Sequence, residues 1–314
     1  MVCGAHDTPH DSVLVVAFGG PTKFEEVRPF LDNVLRGRPV PKERVEEVVE
    51  HYRAIGGASP LNPLTLRQAD LLARDLAAAG PVLKVYVGMR NWAPYLADTL
   101  ARMADEGKRR AVGVILAAHR CEAGWERYLD LIREAQAKLG DRAPRVEPIA
   151  PWHDDPLFIA AAADRAREAL AGIPPERRDA AALVFTAHSI PVAMAKASRY
   201  VEEVRESAEA VGRMLDRKDV RIAWQSRSGS PRDPWLEPDV NDEIRALAEA
   251  GVKDVVVVPV GFVVDHVEVL YDLDVEARKT AEACGVGFRR AGTVSDHPSF
   301  IKALAGKVRG ITVS

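Results

Sequence analysis

Cysteine is scarce in this sequence, with only Cys3, Cys121 and Cys284 in a chain of 314 residues. The three thiols show no CxxC spacing, so neither a disulfide framework nor a metal site of four thiolates is supported. An excess of positive charge is also missing, because the formal net charge is −3. No broad electrostatic argument therefore favours a nucleic acid as a partner.

Long hydrophobic runs and several common fingerprints are missing as well. The N-terminal stretch MVCGAHDTPHDS is polar and lacks the apolar segment of a signal peptide, and no apolar run reaches the ~18 residues that a membrane span needs. The chain has no GxGxxG, P-loop or GxSxG string, so nucleotide binding and serine hydrolysis lose their usual signatures. We expect a cytoplasmic protein with at most peripheral membrane contact.

Short apolar segments rich in β-branched residues alternate with longer amphipathic ones along the chain. Buried strands are predicted at 13–18, 82–87, 111–118, 181–187, 220–225 and 254–262. Apolar residues at helical spacing predict helices at 122–139, 155–172, 198–215 and 239–250. Strands that are apolar throughout and are separated by helices indicate parallel sheets covered on both faces.

The number of these units is too large for one regular sheet. The segments IAPWHDDP and GIPPERRDA interrupt the pattern near the middle of the chain. We therefore predict an α/β protein with two Rossmann-like doubly wound domains, residues 1–160 and 161–314, whose parallel sheets face a central cleft. The last helix is expected to pack back on the first domain. A (β/α)₈ barrel would fit the same alternation of strands and helices.

Histidines follow three of the predicted strands, where ligands bind in such folds. These residues are His119, His188 and His266. A neutral imidazole has a reference pKa of about 6.5, which suits metal ligation and proton acceptance near neutral pH. The alternative is a hydrogen-bonded structural residue. The glycine-rich turns AFGGPT and YRAIGGASPL could offer backbone N–H groups to ligand carboxylates, or could be ordinary strand-to-helix connections.

The stretch GFVVDHVEVLYDLDVEA carries acidic residues at a regular spacing. Glu268, Asp272 and Glu276 are four residues apart and would share one face of a helix. No lysine or arginine occurs in this stretch, and like charges at that spacing each cost about a few tenths of a kcal/mol. A bound cation would offset the repulsion, because carboxylates are hard ligands. The alternative is a solvated face that pairs with basic neighbours.

Taken in order, these segments resemble the ferrochelatase family, whose members insert ferrous iron into a porphyrin without ATP. TAHSIP resembles the family's [ST]AH-x-[IL]P strand end, and WQSRSGSPRDPWLEPDV resembles its QS-x-G…PWL-x-P segment. PVGFVVDHVEVLYDLDVEA resembles its GF-x-x-DH-x-E-x-L-x-x-D helix. AFGGP, YRAIGGASPL and VGMRNWAPYL match upstream, so the resemblance extends from about Leu14 to the C-terminal HPSFIKALA.

The resemblance implies a lyase of heme biosynthesis that takes Fe²⁺ as a substrate and requires no cofactor. It implies that His188 and Glu268 are catalytic and that they bind the metal together with Asp272 and Glu276. It also implies a set of substrate-binding residues, namely Phe18, Arg36, Arg38, Ser59, His119 and Tyr128. The expected partners are coproporphyrin III or a related porphyrin and ferrous iron. We expect a monomer.

Within the family, the chain is most similar to the branch that uses coproporphyrin. VLRGRPVPKERVEEVVEHY resembles the loop-and-helix insertion of that branch. Coproporphyrin carries four propionates, which gives Arg36 and Arg38 a rationale as charged donors. The alternative is a solvated basic loop.

Three departures from the family pattern bear on the site. Phe18 stands where many members carry a tyrosine that can ligate the metal, so that ligand is absent here. Some members hold a [2Fe–2S] cluster, but three cysteines cannot supply its four ligands, and none is expected. After His119, the segment RCEAGWERY differs from the hydroxyl-rich run of relatives, and Trp125 stands where one cluster cysteine would be.

Other functions fit parts of the pattern. A related chelatase would load cobalt or nickel into another tetrapyrrole, and a ferrochelatase could use protoporphyrin IX. A non-enzymatic porphyrin or metal carrier would bind its ligand without turnover. A two-domain solute-binding protein would have a similar fold, but we expect no signal peptide, because the N-terminal stretch lacks an apolar segment.

Overall fold

The computed structural model describes residues 9–37, 40–229 and 233–312. Within these residues two parallel sheets are flanked by helices. The strands are β1 (Ser12–Ala17), β2 (Lys84–Met89), β3 (Arg110–Ile115), β4 (Arg145–Pro148), β5 (Ala182–His188), β6 (Val220–Gln225), β7 (Asp254–Val258) and β8 (Gly287–Arg290).

Helices connect almost every strand to the next and cover the sheets. The first seven are α1 (Val27–Leu35), α2 (Lys42–Ala54), α3 (Leu61–Ala79), α4 (Leu96–Asp105), α5 (Arg127–Leu139), α6 (Pro156–Ala171) and α7 (Pro175–Arg178). The others are α8 (Val192–Lys196), α9 (Tyr200–Met214), α10 (Val240–Glu249), α11 (Val267–Leu270), α12 (Arg278–Ala283) and α13 (Pro298–Thr312). π-Helical segments at Glu122–Glu126 and Asp272–Ala277 precede α5 and α12.

The two sheets have the same strand order. It is β2-β1-β3-β4 in the N-terminal sheet and β6-β5-β7-β8 in the C-terminal sheet, and every pairing is parallel. The strand order reverses beside β1 and beside β5, and such a reversal opens a crevice at the carboxyl ends of the strands. The prediction of an α/β fold with two parallel sheets is therefore confirmed, and the barrel alternative is wrong.

Burial explains which strands the sequence revealed. All residues of β1 and β7 are buried, and apart from Ser12 and Asp254 at their starts these central strands are apolar. β4 (RVEP) and β8 (GFRR) lie at sheet edges, are only four residues long and carry charged side chains, so apolar pattern alone did not predict them. The predicted segments 111–118 and 254–262 run beyond their strands, because the apolar pattern continues into the loops at the carboxyl ends.

A glycine brings the end of β1 close to the loop that follows β2. Gly19 has a φ of +83°, and a Cβ atom there would lie 3.0 Å from both Met89 Cβ and the backbone nitrogen of Trp92. Only glycine fits this backbone conformation and this spacing without strain. The turn AFGGP therefore needs its first glycine for a structural reason.

Polar contacts join the two halves of the chain. Arg309 on α13 donates to Asp75 Oδ1 on α3 at 2.7 Å, and Arg67 on α3 pairs with Asp296 at 2.6 Å. The buried side chain of Gln68 donates to the carbonyl oxygen of Ser295 at 2.9 Å. The last helix thus contacts α3 as well as α6. The domain boundary at residue 160 stays a prediction.

The helices of the described residues include none that is long and apolar enough to cross a membrane.

Candidate active site

His188 is the last residue of β5, at the carboxyl end of the C-terminal sheet. Its Nδ1 contacts the carbonyl oxygen of Ser189, and a carbonyl only accepts, so Nδ1 carries the proton in the neutral ring. Its Nε2 lies 3.6 Å from Oε1 of Glu268. The side chains of His188 and Glu268 are 29% and 40% exposed, so solvent reaches both.

The pKa values of this pair are shifted in opposite directions. Burial alone would lower the pKa of His188, but Glu268, the Ser189 carbonyl and Asp272 together outweigh it, and the pKa is raised above its usual value. Burial alone would raise the pKa of Glu268, but His188, His266 and Arg44 together outweigh it, and the pKa is lowered. Glu268 therefore stabilises the imidazolium that forms when His188 accepts a proton.

Local contacts fix the backbone that carries Glu268. The residue belongs to α11, which starts after the loop that leaves β7. His266 caps this helix, because its Nδ1 accepts a hydrogen bond from the backbone N–H of Glu268 at 3.1 Å. Gln225, at the end of β6, donates from Nε2 to the carbonyl oxygen of Glu268 at 2.8 Å. Two neighbouring strands thus present His188 and Glu268 to each other.

The acidic residues behind Glu268 lie on a π-helical segment. The backbone N–H of Glu276 donates to the carbonyl oxygen of Tyr271 at 3.0 Å, which is the i to i+5 bond of a π-helix. Glu268 and Asp272 are half-buried, whereas Glu276 is exposed. The row of carboxylates therefore leads from the pair of His188 and Glu268 toward the surface.

Asp272 occupies the middle of this row. Burial and the negative charge of Glu268 raise the pKa of Asp272 to about 7, although a hydrogen bond from Ser226 opposes the shift. Burial, followed by the charge of Asp239, raises the pKa of Glu276. Near neutral pH Asp272 is close to half protonated, so it can both take up and release a proton.

Helix α2 covers the outer side of this row. The ring of His51 stacks on that of Tyr271, with centroids 3.7 Å apart and an interplanar angle of 12°. The buried Tyr52 lies close enough to Glu268 for the carboxylate to contribute to its raised pKa, after burial itself. Arg44 helps to lower the pKa of Glu268, after the larger effects of the nearby histidines.

Phe18 and Arg36 both contact Arg90, the residue that follows β2. Phe18 follows β1 and is 38% exposed, and the guanidinium of Arg90 lies 5.8 Å from the centre of its ring. Arg36 is exposed and donates at 3.4 Å to the carbonyl oxygen of Arg90 and to Oδ1 of Asn91. Arg38 lies outside the described residues. Phe18, Arg36 and Arg90 thus form a cationic, partly aromatic rim beyond the carboxyl ends of β1 and β2.

Ser59 and Tyr128 are both buried. The Ser59 hydroxyl accepts from the backbone N–H of Leu61 at 3.3 Å, and its backbone N–H donates to Pro21, beneath the glycine turn after β1. Burial raises the pKa of Tyr128, which lies on α5. The roles of these two residues in substrate binding stay predictions.

His119 is 4% exposed and lies between the two halves of the chain. Its Nε2 is 3.0 Å from the hydroxyl of Ser207, which donates to the carbonyl oxygen of His153, so Nε2 of His119 is the donor in the neutral ring. Tyr200 packs edge-on against it and donates from its hydroxyl to the carbonyl oxygen of His188 at 2.9 Å. Burial lowers the pKa of His119 to about 3. Its role in substrate binding stays a prediction.

The predicted metal-binding residues do not form a closed cage. No three histidine, cysteine, aspartate or glutamate side chains of the described ranges are grouped as ligands of one metal ion. The metal-binding role of His188, Glu268, Asp272 and Glu276 stays a prediction. Cys121 is a buried free thiol and Cys284 an exposed one.

Several neighbours of the pair were not assigned a role from the sequence. Gln225 and Ser226 lie within the quoted WQS segment, and Tyr271 lies within the acidic stretch, yet neither pattern indicates that they contact the catalytic residues. Arg90, in VGMRNWAPYL, was also within a quoted motif. Their contacts come from elements that are distant in sequence, so no local signal identifies them.

The chain matches the family model described as Ferrochelatase over residues 10–310. It is 43% identical to coproporphyrin III ferrochelatase of Mycolicibacterium smegmatis, an alignment that covers 94% of this chain and 87% of that relative. It is 41% identical to a ferrochelatase of Rhodopirellula baltica, with 96% and 86% covered. A coproporphyrin III ferrochelatase of Nocardia farcinica is 43% identical, with 95% and 87% covered.

Solved structures with low sequence identity share the fold. SirB from Bacillus subtilis superposes with a TM-score of 0.61 at 13% identity, covering 96% of each chain. The sirohydrochlorin chelatase SirB of Bacillus subtilis subspecies spizizenii, in complex with cobalt, gives 0.57 at 12% identity, covering 97% of this chain and 96% of that one. At such identities the likeness concerns the fold alone.

Proposed function

Because this chain belongs to the ferrochelatase family, we propose that it inserts ferrous iron into coproporphyrin III in heme biosynthesis. Family membership makes it a porphyrin metal chelatase, which is a lyase with a porphyrin and iron as substrates. The observation that carries the proposal is the pairing of His188 with Glu268 at 3.6 Å, at the end of a row of carboxylates.

Metal insertion is slow without a catalyst because two of the four inward-facing porphyrin nitrogens carry protons. An enzyme that grips the rim of the macrocycle can use remote binding energy to bend the ring and turn the nitrogen lone pairs outward. Phe18, Arg36 and Arg90 border the N-terminal side of the cleft, where they would hold the ring and its propionates. The C-terminal pair would then face the exposed nitrogens.

His188 is the proposed acceptor of the pyrrole protons. Its Nδ1–H is held by the Ser189 carbonyl, so the lone pair of Nε2 faces Glu268 and the cleft. When Nε2 takes a pyrrole proton, the carboxylate of Glu268 stabilises the resulting imidazolium. Two protons leave the porphyrin and one Fe²⁺ enters, so the charge of the macrocycle core is unchanged.

Asp272 and Glu276 are the proposed route between this pair and the surface. Their carboxylates would lead the ion inward or the protons outward. A pKa of about 7 lets Asp272 change its protonation state near neutral pH, which supports a part in proton release. The finer proposals are that no cofactor takes part, that the protein is a monomer, and that it acts in the cytoplasm.

Anaerobic turnover of ferrous iron with coproporphyrin III and protoporphyrin IX, side by side, tests the proposed function. We expect insertion into coproporphyrin III with the higher kcat/KM. The same assay with cobalt or nickel separates a chelatase for another metal. Porphyrin binding without insertion of any metal would identify a carrier and would refute the proposal.

A further inference from the structure

Arg290 ties together two parts of the segment that carries Glu268. It is the last residue of β8, and its side chain is 12% exposed. Its Nη1 and Nη2 each lie 3.2 Å from one carboxylate oxygen of Asp265, and its Nε lies 2.8 Å from Oδ1 of Asp274. Arginine is suited to this bridge because its planar fork presents several donors in fixed directions.

Asp265 and Asp274 lie before and after Glu268 and Asp272 in the chain. Asp265 lies in the loop before α11, and Asp274 lies within the π-helical segment Asp272–Ala277. Thr293 also donates to Asp265 Oδ1, at 3.0 Å, so both Thr293 and Arg290 hold the carboxylate of Asp265. The placement of Glu268 and Asp272 relative to His188 therefore depends on a segment whose two parts are anchored to one edge strand.

A π-helical segment needs such an anchor. π-Helices are rare, and they occur mostly as short insertions at functional sites. Arg278 also contacts Asp274, through its carbonyl oxygen at 3.1 Å and its carboxylate at 3.8 Å, but it belongs to α12, the helix that continues the same segment. Arg278 reaches the sheet only through a contact of its guanidinium with the ring of Phe288, 5.0 Å from the centroid, whereas Arg290 donates hydrogen bonds from β8 to both carboxylates.

The other π-helical segment, Glu122–Glu126, offers a comparison. It also has an arginine–carboxylate contact, Arg120 to Glu126 at 2.9 Å, but these side chains are 43% and 40% exposed. Exposed pairs of this kind contribute little stability. The pair of Arg290 and Asp274 is more buried and has a second carboxylate on the same guanidinium.

We propose that Arg290 is a positioning residue for metal insertion, which sets the place of Glu268 and Asp272 by clamping Asp265 and Asp274 to β8. The inference rests on the proposed function. Arg290 itself lies behind the acidic row and acts only through it. Its loss should therefore slow the reaction with little effect on porphyrin binding.

The first test compares Arg290→Lys with Arg289→Lys. A lysine keeps the charge but cannot bridge both carboxylates. Arg289 is the matched control, because it precedes Arg290 on the same strand and donates instead to the carbonyl oxygens of Phe288 and Gly172. We expect kcat to fall about tenfold or more in Arg290→Lys, since small displacements of reacting groups cost that much. The KM for coproporphyrin III should stay within about twofold of the wild type.

A second variant tests whether a loss of kcat comes from the clamp or from general destabilisation of the fold. Asp274→Asn keeps the shape of the side chain but removes its negative charge, which weakens the π-helical half of the clamp and the contact with Arg278, and leaves the pair of Arg290 and Asp265 intact. It should lower kcat in the same way, and the double variant with Arg290→Lys should be no slower than the slower single variant, because contacting residues act as a unit. Backbone amides at 267–277 should exchange hydrogen faster in both variants and at the wild-type rate in Arg289→Lys.

Equal kcat values in Arg290→Lys and Arg289→Lys would overturn the proposal. So would a loss of kcat accompanied by an equal rise in the KM for the porphyrin and faster exchange throughout the chain, which indicates general destabilisation. If the wild-type protein inserts no metal, the proposed function fails. The exchange measurement then still decides whether Arg290 clamps the segment.

Discussion

The two halves of this protein have the same strand order, yet the first strand of each half ends in different chemistry. β1 is followed by Phe18, whose phenyl ring is 38% exposed and lies beside the guanidinium of Arg90. β5 ends at His188, whose imidazole faces the carboxylate of Glu268. The phenyl ring of Phe18 can pack against a planar porphyrin, whereas the imidazole of His188, at the corresponding position, can accept a proton.

The third strand of each half extends the comparison. β3 leads to His119 and then to a π-helical segment that contains the buried Trp125. β7 leads to Glu268 and then to a π-helical segment that carries Asp272. In the N-terminal half these positions are buried, whereas in the C-terminal half they carry half-buried carboxylates. The shared architecture thus provides two sets of loops, and under the proposed function the N-terminal side chains would hold the porphyrin while the C-terminal side chains would accept its protons.

The largest expected effect comes from replacing His188 or Glu268, the proposed proton acceptor and its carboxylate partner. His188→Ala or Glu268→Gln should lower kcat by about 10²- to 10⁴-fold, the range for loss of a proton acceptor. Porphyrin binding, followed by fluorescence titration, should be retained. The corresponding change in the N-terminal half, Phe18→Leu, should mainly raise the KM for the porphyrin, because a phenyl ring neither accepts a proton nor ligates iron. Wild-type turnover in either C-terminal variant would contradict the division.

A smaller effect is expected from His119, the buried strand-end histidine. Its pKa is about 3 in the folded protein, whereas the reference value of about 6.5 applies when the chain unfolds. Between these values the unfolded chain binds more protons, so His119 makes the protein less stable as the pH falls from about 6.5 to about 3. His119→Gln should reduce this slope of unfolding free energy by at most about 1.4 kcal/mol per pH unit.

Urea unfolding at several pH values measures this slope. Ser207→Ala is the matched control, since it removes the hydroxyl partner of His119 and leaves the imidazole in place. The control should lose stability but keep the slope. A slope unchanged by His119→Gln would show that the buried ring is not the group that titrates. The KM for the porphyrin, measured on the same variant, tests the role in substrate binding that the family resemblance implies.

The smallest expected effect concerns the cationic rim. Arg36→Ala should raise the KM for coproporphyrin III by about two- to fivefold, the factor that corresponds to about 0.5–1 kcal/mol for an exposed charged contact. The KM for protoporphyrin IX, which has fewer propionates, should rise less. Arg74→Ala is a suitable control, because Arg74 is an exposed arginine of α3 that pairs with Asp70. Equal increases in KM for both porphyrins would mean that Arg36 does not bind the additional propionates of coproporphyrin III.

The central strands and long helices could be predicted from the local sequence, because the spacing of apolar residues indicates which positions are buried. β1 and β7 were predicted for this reason, and the acidic spacing of Glu268, Asp272 and Glu276 is visible without any structure. The short edge strands β4 and β8 give no such pattern, since β4 has no buried residue and β8 has one, and both carry charged side chains. The sequence alone did not exclude the (β/α)₈ barrel, because the alternation of strands and helices does not specify which strands pair.

Sequence alone therefore determined the α/β class, the strand-end histidines and the four-residue spacing of the acids, because these depend on neighbours along the chain. Only the tertiary structure decided which histidine opens to the cleft. His119 is buried against Ser207, which is 88 residues away, and His188 meets Glu268 from another strand. Burial and nearby charge set the protonation of each imidazole, and both come from residues that folding brings together from distant parts of the chain.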